Sequence, residues 1–285
     1  MSGSDWGWLG HHTTLRTISI SGFVKAEEPI RIGKGREPAP KGPTDLTVLK
    51  FKIGERELPV IPGSSWKGLF RAAAVRIASS YGVKVCMGVG QSTCLSGKDF
   101  EILEKEKLPS EDEISRKISL INDKACILCK IFGSPGYLSH VFFGDSFPEN
   151  SVSIGYRTMV AIDRRTGTSY PGALFTVEYV EPGAVFNFEM RAINLPNYAL
   201  GLLGEIFGEI QQGVIRIGGL KSRGFGRISF QNLKVKISGI KSIENGKLIP
   251  LDPLDEEVEF KEDFWELVKE LVKVWENVSR KLQKD

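Results

Sequence analysis

Histidine is scarce in this chain, with three residues in 285, and cysteine and methionine are little commoner at four each. So few imidazoles leave little material for a histidine acid–base pair. No apolar run approaches the roughly 18 residues needed to span a bilayer. The segment from Met1 to His12 has no cationic region followed by an apolar block, which argues against a signal peptide and sets the expectation of a cytoplasmic protein. No internal repeat or low-complexity tract stands out. With 41% hydrophobic and 26% charged residues, disordered and collagen-like classes are excluded. The length allows one large domain or two small ones.

Glycine is the residue in surplus: 31 of 285 is above the usual ~7% and calls for loops of special backbone geometry. The net charge of +3 hides an uneven distribution. Residues 241–285 carry 8 Lys and Arg against 12 Asp and Glu, whereas residues 1–240 carry 30 against 23. The stretch Asp99 to Glu113 alone holds 7 acids and 2 lysines. A basic body with acidic appendages suits a polyanion, nucleic acid being the commonest such partner, although a mixed solvated surface fits the same counts.

Alternation of polar and apolar residues predicts a strand over Arg16 to Val24, and short strands over Leu46 to Ile53 and Glu57 to Ile61 with a turn at Gly54. Ile32 to Thr44 reads as a long basic loop. Pro62 to Ser65 opens a helix running to Tyr81, with a serine cap expected. Val83 to Gly136 behaves as an insertion holding all four cysteines and the acidic stretch. Further strands are expected at Leu138 to Gly144, Ser151 to Ile154, Leu174 to Tyr179, Val185 to Ile193 and Arg227 to Ile240. A second helix spans Tyr198 to Gly213, and an amphipathic third spans Phe264 to Leu282. The order strand, helix, strands, helix, strand points to an α+β fold of ferredoxin-like character with insertions.

Two segments invite phosphate. In Ile217-Gly218-Gly219-Leu220-Lys221-Ser222-Arg223-Gly224-Phe225-Gly226-Arg227, four glycines let a backbone come close while Lys221, Arg223 and Arg227 supply charge. Phe225 could stack on a base or pack inside. The string is neither a P-loop nor a Rossmann turn, because it follows a helix and leads into a strand. A plain β-turn remains an alternative. In Pro62 to Arg71, a helix N-terminus, the hydroxyls of Ser64 and Ser65 and the cations Lys67 and Arg71 form a possible anion site.

Cys86, Cys94, Cys126 and Cys129 offer four soft ligands of the kind that holds structural zinc. The gap between Cys86 and Cys94 is wider than usual, and His140 could replace one thiolate. Disulfides and inert buried thiols are the alternatives.

In combination these segments are distinctive. Pro62 to Arg71 resembles the "IPGSSLKG-x-[LF]R" motif of the RAMP superfamily, and Ile217 to Arg227 its "GG-x-KSRGFGR" loop. Cys126 to Ser134 resembles the "C-x-x-C-[RK]-[LI]-FGS" segment, and Phe142-Phe143-Gly144-Asp145 the strand ending in an acid that follows it. Arg157 to Leu174 resembles the "R…V-x-IDR-x-TG-x-A…G-x-LF" hairpin. The motifs run in family order, and the chain is identified as resembling backbone subunits of type III CRISPR effector complexes of the Csm/Cmr kind.

That resemblance implies an RRM-like core over 16–240 that stacks along a guide RNA, with insertion 83–136, a β-hairpin thumb at 157–178, a flexible tail at 1–15 and a C-terminal helical extension at 241–285. It implies guide contacts at Ser64, Ser65, Lys67, Arg71, Gly218, Gly219, Lys221, Ser222, Arg223, Gly224, Phe225 and Gly226. At the thumb, Met159, Val160 and Ile162 would wedge into the guide–target duplex, while Arg157, Arg164 and Arg165 face phosphate; a core-packed hairpin with solvated arginines is the alternative.

Active members cut target RNA with an aspartate in a "[IV]-D-x-P-[IV]" segment. Thr44-Asp45-Leu46-Thr47-Val48 occupies that place, with Asp45 matching and with Thr44 and Thr47 departing from the pattern. An ionised carboxylate there could hold Mg2+ or Mn2+, or accept the proton of an attacking 2′-hydroxyl. The implied partners are guide RNA, target RNA, other CRISPR effector subunits and copies of this chain; the implied function is target cleavage or, alternatively, guide binding and assembly alone. Guide processing by histidine chemistry is the weakest option, since His11 and His12 lie in the expected tail.

Overall fold

The computed structural model describes residues 7–33, 44–88, 93–95, 97–103 and 110–283. In chain order the elements are β1 (Thr17–Ala26), β2 (Lys50–Ile53), β3 (Arg56–Pro59), α1 (Gly63–Ser80), α2 (Gly97–Leu103), α3 (Glu111–Lys124) and α4 (Ile127–Phe132). Then come β4 (Val141–Phe143), β5 (Ile154–Ile162), β6 (Ser169–Val180), β7 (Val185–Ile193), α5 (Asn197–Gln211), β8 (Ile228–Ser238), β9 (Ile243–Glu244), β10 (Lys247–Leu248), β11 (Val258–Glu259) and α6 (Phe264–Leu282). The basic loop expected over 32–44 and the acidic stretch at 99–113 lie partly outside the described residues.

Four strands form the central sheet in the order β4-β7-β1-β8, every neighbouring pair antiparallel. Numbered within the β-α-β-β-α-β unit this is 2-3-1-4, the ferredoxin-like arrangement. Period-two alternation turns Ile18, Ile20, Val24 and Ala26 of β1 inward, where they meet Phe186, Phe188 and Met190 of β7 and the buried stripes of α1 and α5. Trp66 of α1 stands edge-on to Phe188 at 5.1 Å, and Phe207 of α5 meets Phe70 at 5.1 Å. The aromatic cluster makes the helices and the sheet one core.

The serine cap expected for α1 does not form. The cap position is Pro62 without a side-chain bond, and the Gly63 N–H instead donates to Asp145 Oδ1 at 2.7 Å. A carboxylate from the strand-end acid thus satisfies a donor that sequence-local chemistry would leave to serine.

Beyond the sheet, α6 lies along α5. A Cβ on Gly201 would fall 2.2 Å from the Leu271 carbonyl oxygen, so the two helices approach backbone to backbone there. Arg16, fully buried, donates to the carbonyls of Leu195 and Ile249, the latter at 3.1 Å. Burial lowers its pKa to about 10. β9, β10 and β11 form a small sheet ahead of α6. Part of the segment read as a tail is docked: Trp8 and Leu9 are buried, and the Asn194 amide donates to Gly10 and Thr13 carbonyls at 3.0 and 2.8 Å. Among the described residues no helix is long and apolar enough to cross a membrane.

Candidate nucleic-acid interface

The glycine-rich segment is a closed loop on the end of α5. The Ile217 N–H donates to the Gly226 carbonyl at 2.8 Å, and Gly219 N–H to Arg31 carbonyl at 2.9 Å. At Gly226 (φ +88°) a Cβ would sit 2.1 Å from the Ile217 oxygen, and at Gly218 (φ +77°) 2.3 Å from the Arg31 oxygen. Only glycine closes the loop at these positions. The closure pushes Lys221, Ser222, Arg223 and Gly224 into solvent. Desolvation, and to a lesser degree the nearby charge of Arg76, lower the Lys221 pKa.

Of the two roles open to Phe225, the structure shows packing. It is fully buried, set edge-on to Tyr179 at 5.6 Å. The Arg157 guanidinium lies over both rings, 5.1 Å from Phe225 and 5.4 Å from Tyr179. Phe225 pins the loop to the thumb base, and Arg157 covers that joint with its charge toward solvent.

At the start of α1 an open groove of about 590 Å³ is bordered by Ser64, Lys67, Arg71, Gly133, Ser134 and Tyr137. Ser64 is exposed and Ser65 half-buried. Burial and the Arg71 charge lower the Lys67 pKa. Arg71 departs from the simple phosphate role: its guanidinium donates to the Gly133 carbonyl at 3.0 Å and to Cys129 Sγ at 3.6 Å. It borders the groove while tying α1 to the cysteine-bearing helix.

The thumb is the β5–β6 hairpin, paired from Ile154↔Val180 to Ile162↔Ser169 with an irregularity between Val160 and Ile162. Tyr156, Val160, Ile162, Tyr170 and Leu174 are exposed, an apolar surface of the kind that marks an interaction site. Met159, opposite Phe175, is half-buried on the other face. Arg164 and Arg165 are exposed at the tip, where Asp163 Oδ1 accepts from the backbone N–H groups of Arg165 and Thr166 at 2.8 and 3.1 Å.

Asp45 lies beside this hairpin. Its N–H donates to the Thr176 carbonyl at 3.0 Å, and its Oδ2 accepts from the Thr176 N–H at 2.7 Å; its side chain is otherwise exposed. The segment is held by Glu178, a residue the sequence reading passed over. Glu178 is 5% exposed, and its carboxylate accepts from Val48 N–H at 2.7 Å and Lys50 Nζ at 2.6 Å. A lone acid within the apolar run Leu174 to Val180 was the available signal.

The cysteines converge. The sulfurs of Cys86, Cys94, Cys126 and Cys129 lie within 4.8 Å of one another, with Cys86 to Cys129 at 3.3 Å and Cys126 to Cys86 at 3.8 Å. A tetrahedral ion with bonds of about 2.3 Å sets sulfurs roughly 3.8 Å apart, so the donor set fits zinc. All four thiols are free of disulfide bonds. A hydrogen bond from Cys129 lowers the Cys126 thiol pKa, while burial raises that of Cys94. His140 is no alternative ligand: its ring nitrogens are engaged by Tyr137 Oη at 2.7 Å and the Ile193 carbonyl at 2.8 Å. Among the described residues Asp45 belongs to no comparable cluster of metal-ligating side chains.

The family model of the RAMP superfamily matches residues 23–229. The CRISPR system Cms endoribonuclease Csm3 of Methanocaldococcus jannaschii is 25% identical over 287 residues, covering 92% of this chain and 96% of that protein. The Streptococcus thermophilus protein of the same name is 26% identical over 228 residues, covering 78% of this chain and 90% of its own length. The matched span runs from β1 through the thumb and the glycine-rich loop to the start of β8, the parts assembled above, and the chain belongs to the RAMP superfamily.

Proposed function

We propose that this chain is a guide-RNA-binding backbone subunit of a type III CRISPR effector complex, and that it cleaves target RNA through Asp45. What supports the catalytic part is the hydrogen-bonded pairing of the Asp45 segment with thumb strand β6 at Thr176, two residues along the strand from the exposed Leu174, which pairs with Val160. An apolar hairpin that splays a target nucleotide would set its 2′-hydroxyl in line with the next phosphate. The 2′-oxygen attacks phosphorus, its proton passes to the Asp45 Oδ1, and the phosphorus–O5′ bond breaks. The 5′-oxygen takes a proton from water, leaving a 2′,3′-cyclic phosphate and a 5′-hydroxyl. A divalent cation held between Asp45 and RNA phosphates would supply neutralisation of the charge that develops on phosphate.

Lys67, Lys221, Ser222 and Arg223 hold guide phosphates, and zinc on the four cysteines staples the insertion. Other effector subunits and further copies of this chain are the protein partners, in the cytoplasm. A second reading, guide binding and assembly alone, is favoured by the fact that Asp45 Oδ2 is already engaged by Thr176 N–H. Asp45→Ala in the reconstituted complex decides between them. Cleavage falls by about 10²-fold or more if the carboxylate acts as base, with guide binding retained; cleavage unchanged at every site assigns the chemistry elsewhere.

A further inference from the structure

The guanidinium of Arg71 is clasped by two of the segments that carry the cysteines. On one side it donates to Cys129 Sγ at 3.6 Å and to the Gly133 carbonyl at 3.0 Å. On the other stands Gly88, two residues beyond Cys86, where a Cβ would lie 2.5 Å from a terminal nitrogen of Arg71 and 3.0 Å from its guanidinium carbon. Any side chain at Gly88 would compete for that place. Cys126 is the N-cap of α4, Cys129 lies within the helix and Gly133 is its C-cap. The helix that carries two of the sulfurs therefore ends at Gly133 and Ser134, on the border of the groove that Lys67 and Arg71 also line.

Four thiolates around a divalent cation leave a net dianion, and in a partly buried place that charge needs a partner. Arg71 supplies one from outside the ligand set, as donors around a metal centre commonly do to orient and balance its ligands. Lys130, the cation of α4 itself, donates instead to Asn122 Oδ1 at 3.2 Å. The bonds to Cys129 and Gly133 use one N–H from each terminal nitrogen of Arg71. A guanidinium has further N–H groups, and these remain at the edge of the groove.

We propose that zinc binding at the four cysteines and RNA binding in the groove are thermodynamically coupled through Arg71, which the metal-loaded cluster holds at the groove's edge. The inference rests on the reading of the groove as an RNA site and adds a metal dependence to it. Zinc ties the segment from Cys86 to Gly88 onto α4 and so closes the slot in which the guanidinium sits. A guanidinium fixed in advance loses less freedom when a phosphate meets its remaining N–H groups. By linkage the effect runs both ways: RNA strengthens zinc binding by the factor by which zinc strengthens RNA binding.

The experiment is equilibrium competition of the zinc-loaded full chain against a chromogenic zinc chelator, with and without saturating single-stranded RNA. RNA should raise the zinc affinity of the native chain about fivefold, the lower end of ordinary coupling. Arg71→Ala should hold zinc more weakly, and RNA should no longer change that affinity. Gly88→Ala, which crowds the guanidinium and keeps its charge, should shrink the RNA effect, and it serves where Arg71→Ala does not fold. Lys67→Ala removes a groove cation away from the sulfurs, so it should weaken RNA binding while saturating RNA still raises zinc affinity. RNA that binds the native chain without changing its zinc affinity overturns the inference and leaves the groove reading standing. An RNA effect of the same size in Arg71→Ala does the same. RNA that fails to bind the native chain removes the groove reading and the inference with it.

Discussion

Glu178 and Lys50 form an ion pair at 2.6 Å across the join between thumb strand β6 and the segment that follows Asp45. The carboxylate is nearly sealed from water, the ammonium only in part. A carboxylate placed there is stabilised by a full set of donors, because Val48 N–H takes its other oxygen at 2.7 Å. Lys50→Met leaves the acid buried with one partner, and should destabilise by about 2–3 kcal/mol. Glu178→Gln keeps an acceptor for Val48 and frees a lysine that can reach water, so it should cost less, about 1 kcal/mol. Urea denaturation of the two single variants and the double variant measures the coupling; equal costs would contradict this asymmetry.

Phe225 should behave as a core residue. Phe225→Ala removes a ring packed on Tyr179 and beneath Arg157, and is expected to cost about 3 kcal/mol of stability, with RNA affinity falling as the loop loosens. A stacking residue would instead lose affinity at constant melting temperature. Phe225→Leu, which refills most of the volume, should recover most of the stability.

The cysteine cluster predicts one zinc per chain by elemental analysis. Cys126→Ser or Cys129→Ser should abolish retention, and chelator should lower the melting temperature of the native chain but not of either variant. Arg71→Ala should weaken zinc retention as well as RNA binding, since the guanidinium donates to Cys129 Sγ and borders the groove. An effect confined to RNA would separate the two roles.

Glu205 predicts a pH dependence. Burial, with Glu209 and Glu276 close by, raises its pKa to about 7. An acid whose folded pKa exceeds its unfolded value binds more protons when folded, so stability falls as pH rises from about 4.5 to about 7. Because the group is only partly buried, screening reduces the effect to about 1–2 kcal/mol. Glu205→Gln should raise the melting temperature at pH 8 and leave it unchanged at pH 4. The same gain at both pH values would assign the effect to packing.

Much of the fold was legible because its signals are local. The alternation of Val185 to Ile193 and the helical stripe of Phe264 to Leu282 match β7 and α6 residue for residue. The two phosphate-suited segments and the cysteine set were visible as composition. The serine cap was misread, and the packing of Phe225 on Tyr179 and the tie from Arg71 to Cys129 went unseen, for a common reason. Each partner is distant in sequence: Asp145 for α1, Tyr179 for Phe225, Cys129 for Arg71.

The sequence by itself determined the main elements of the core and their order, and the residue chemistry available for RNA and metal, since these follow from backbone sterics and periodicity within a few residues. Only the tertiary structure decided the 2-3-1-4 strand order, the burial of Glu178 beneath the Asp45 segment and the convergence of four sulfurs. Burial and charge pairing depend on which distant side chains share a volume, and that is a property of the packed chain.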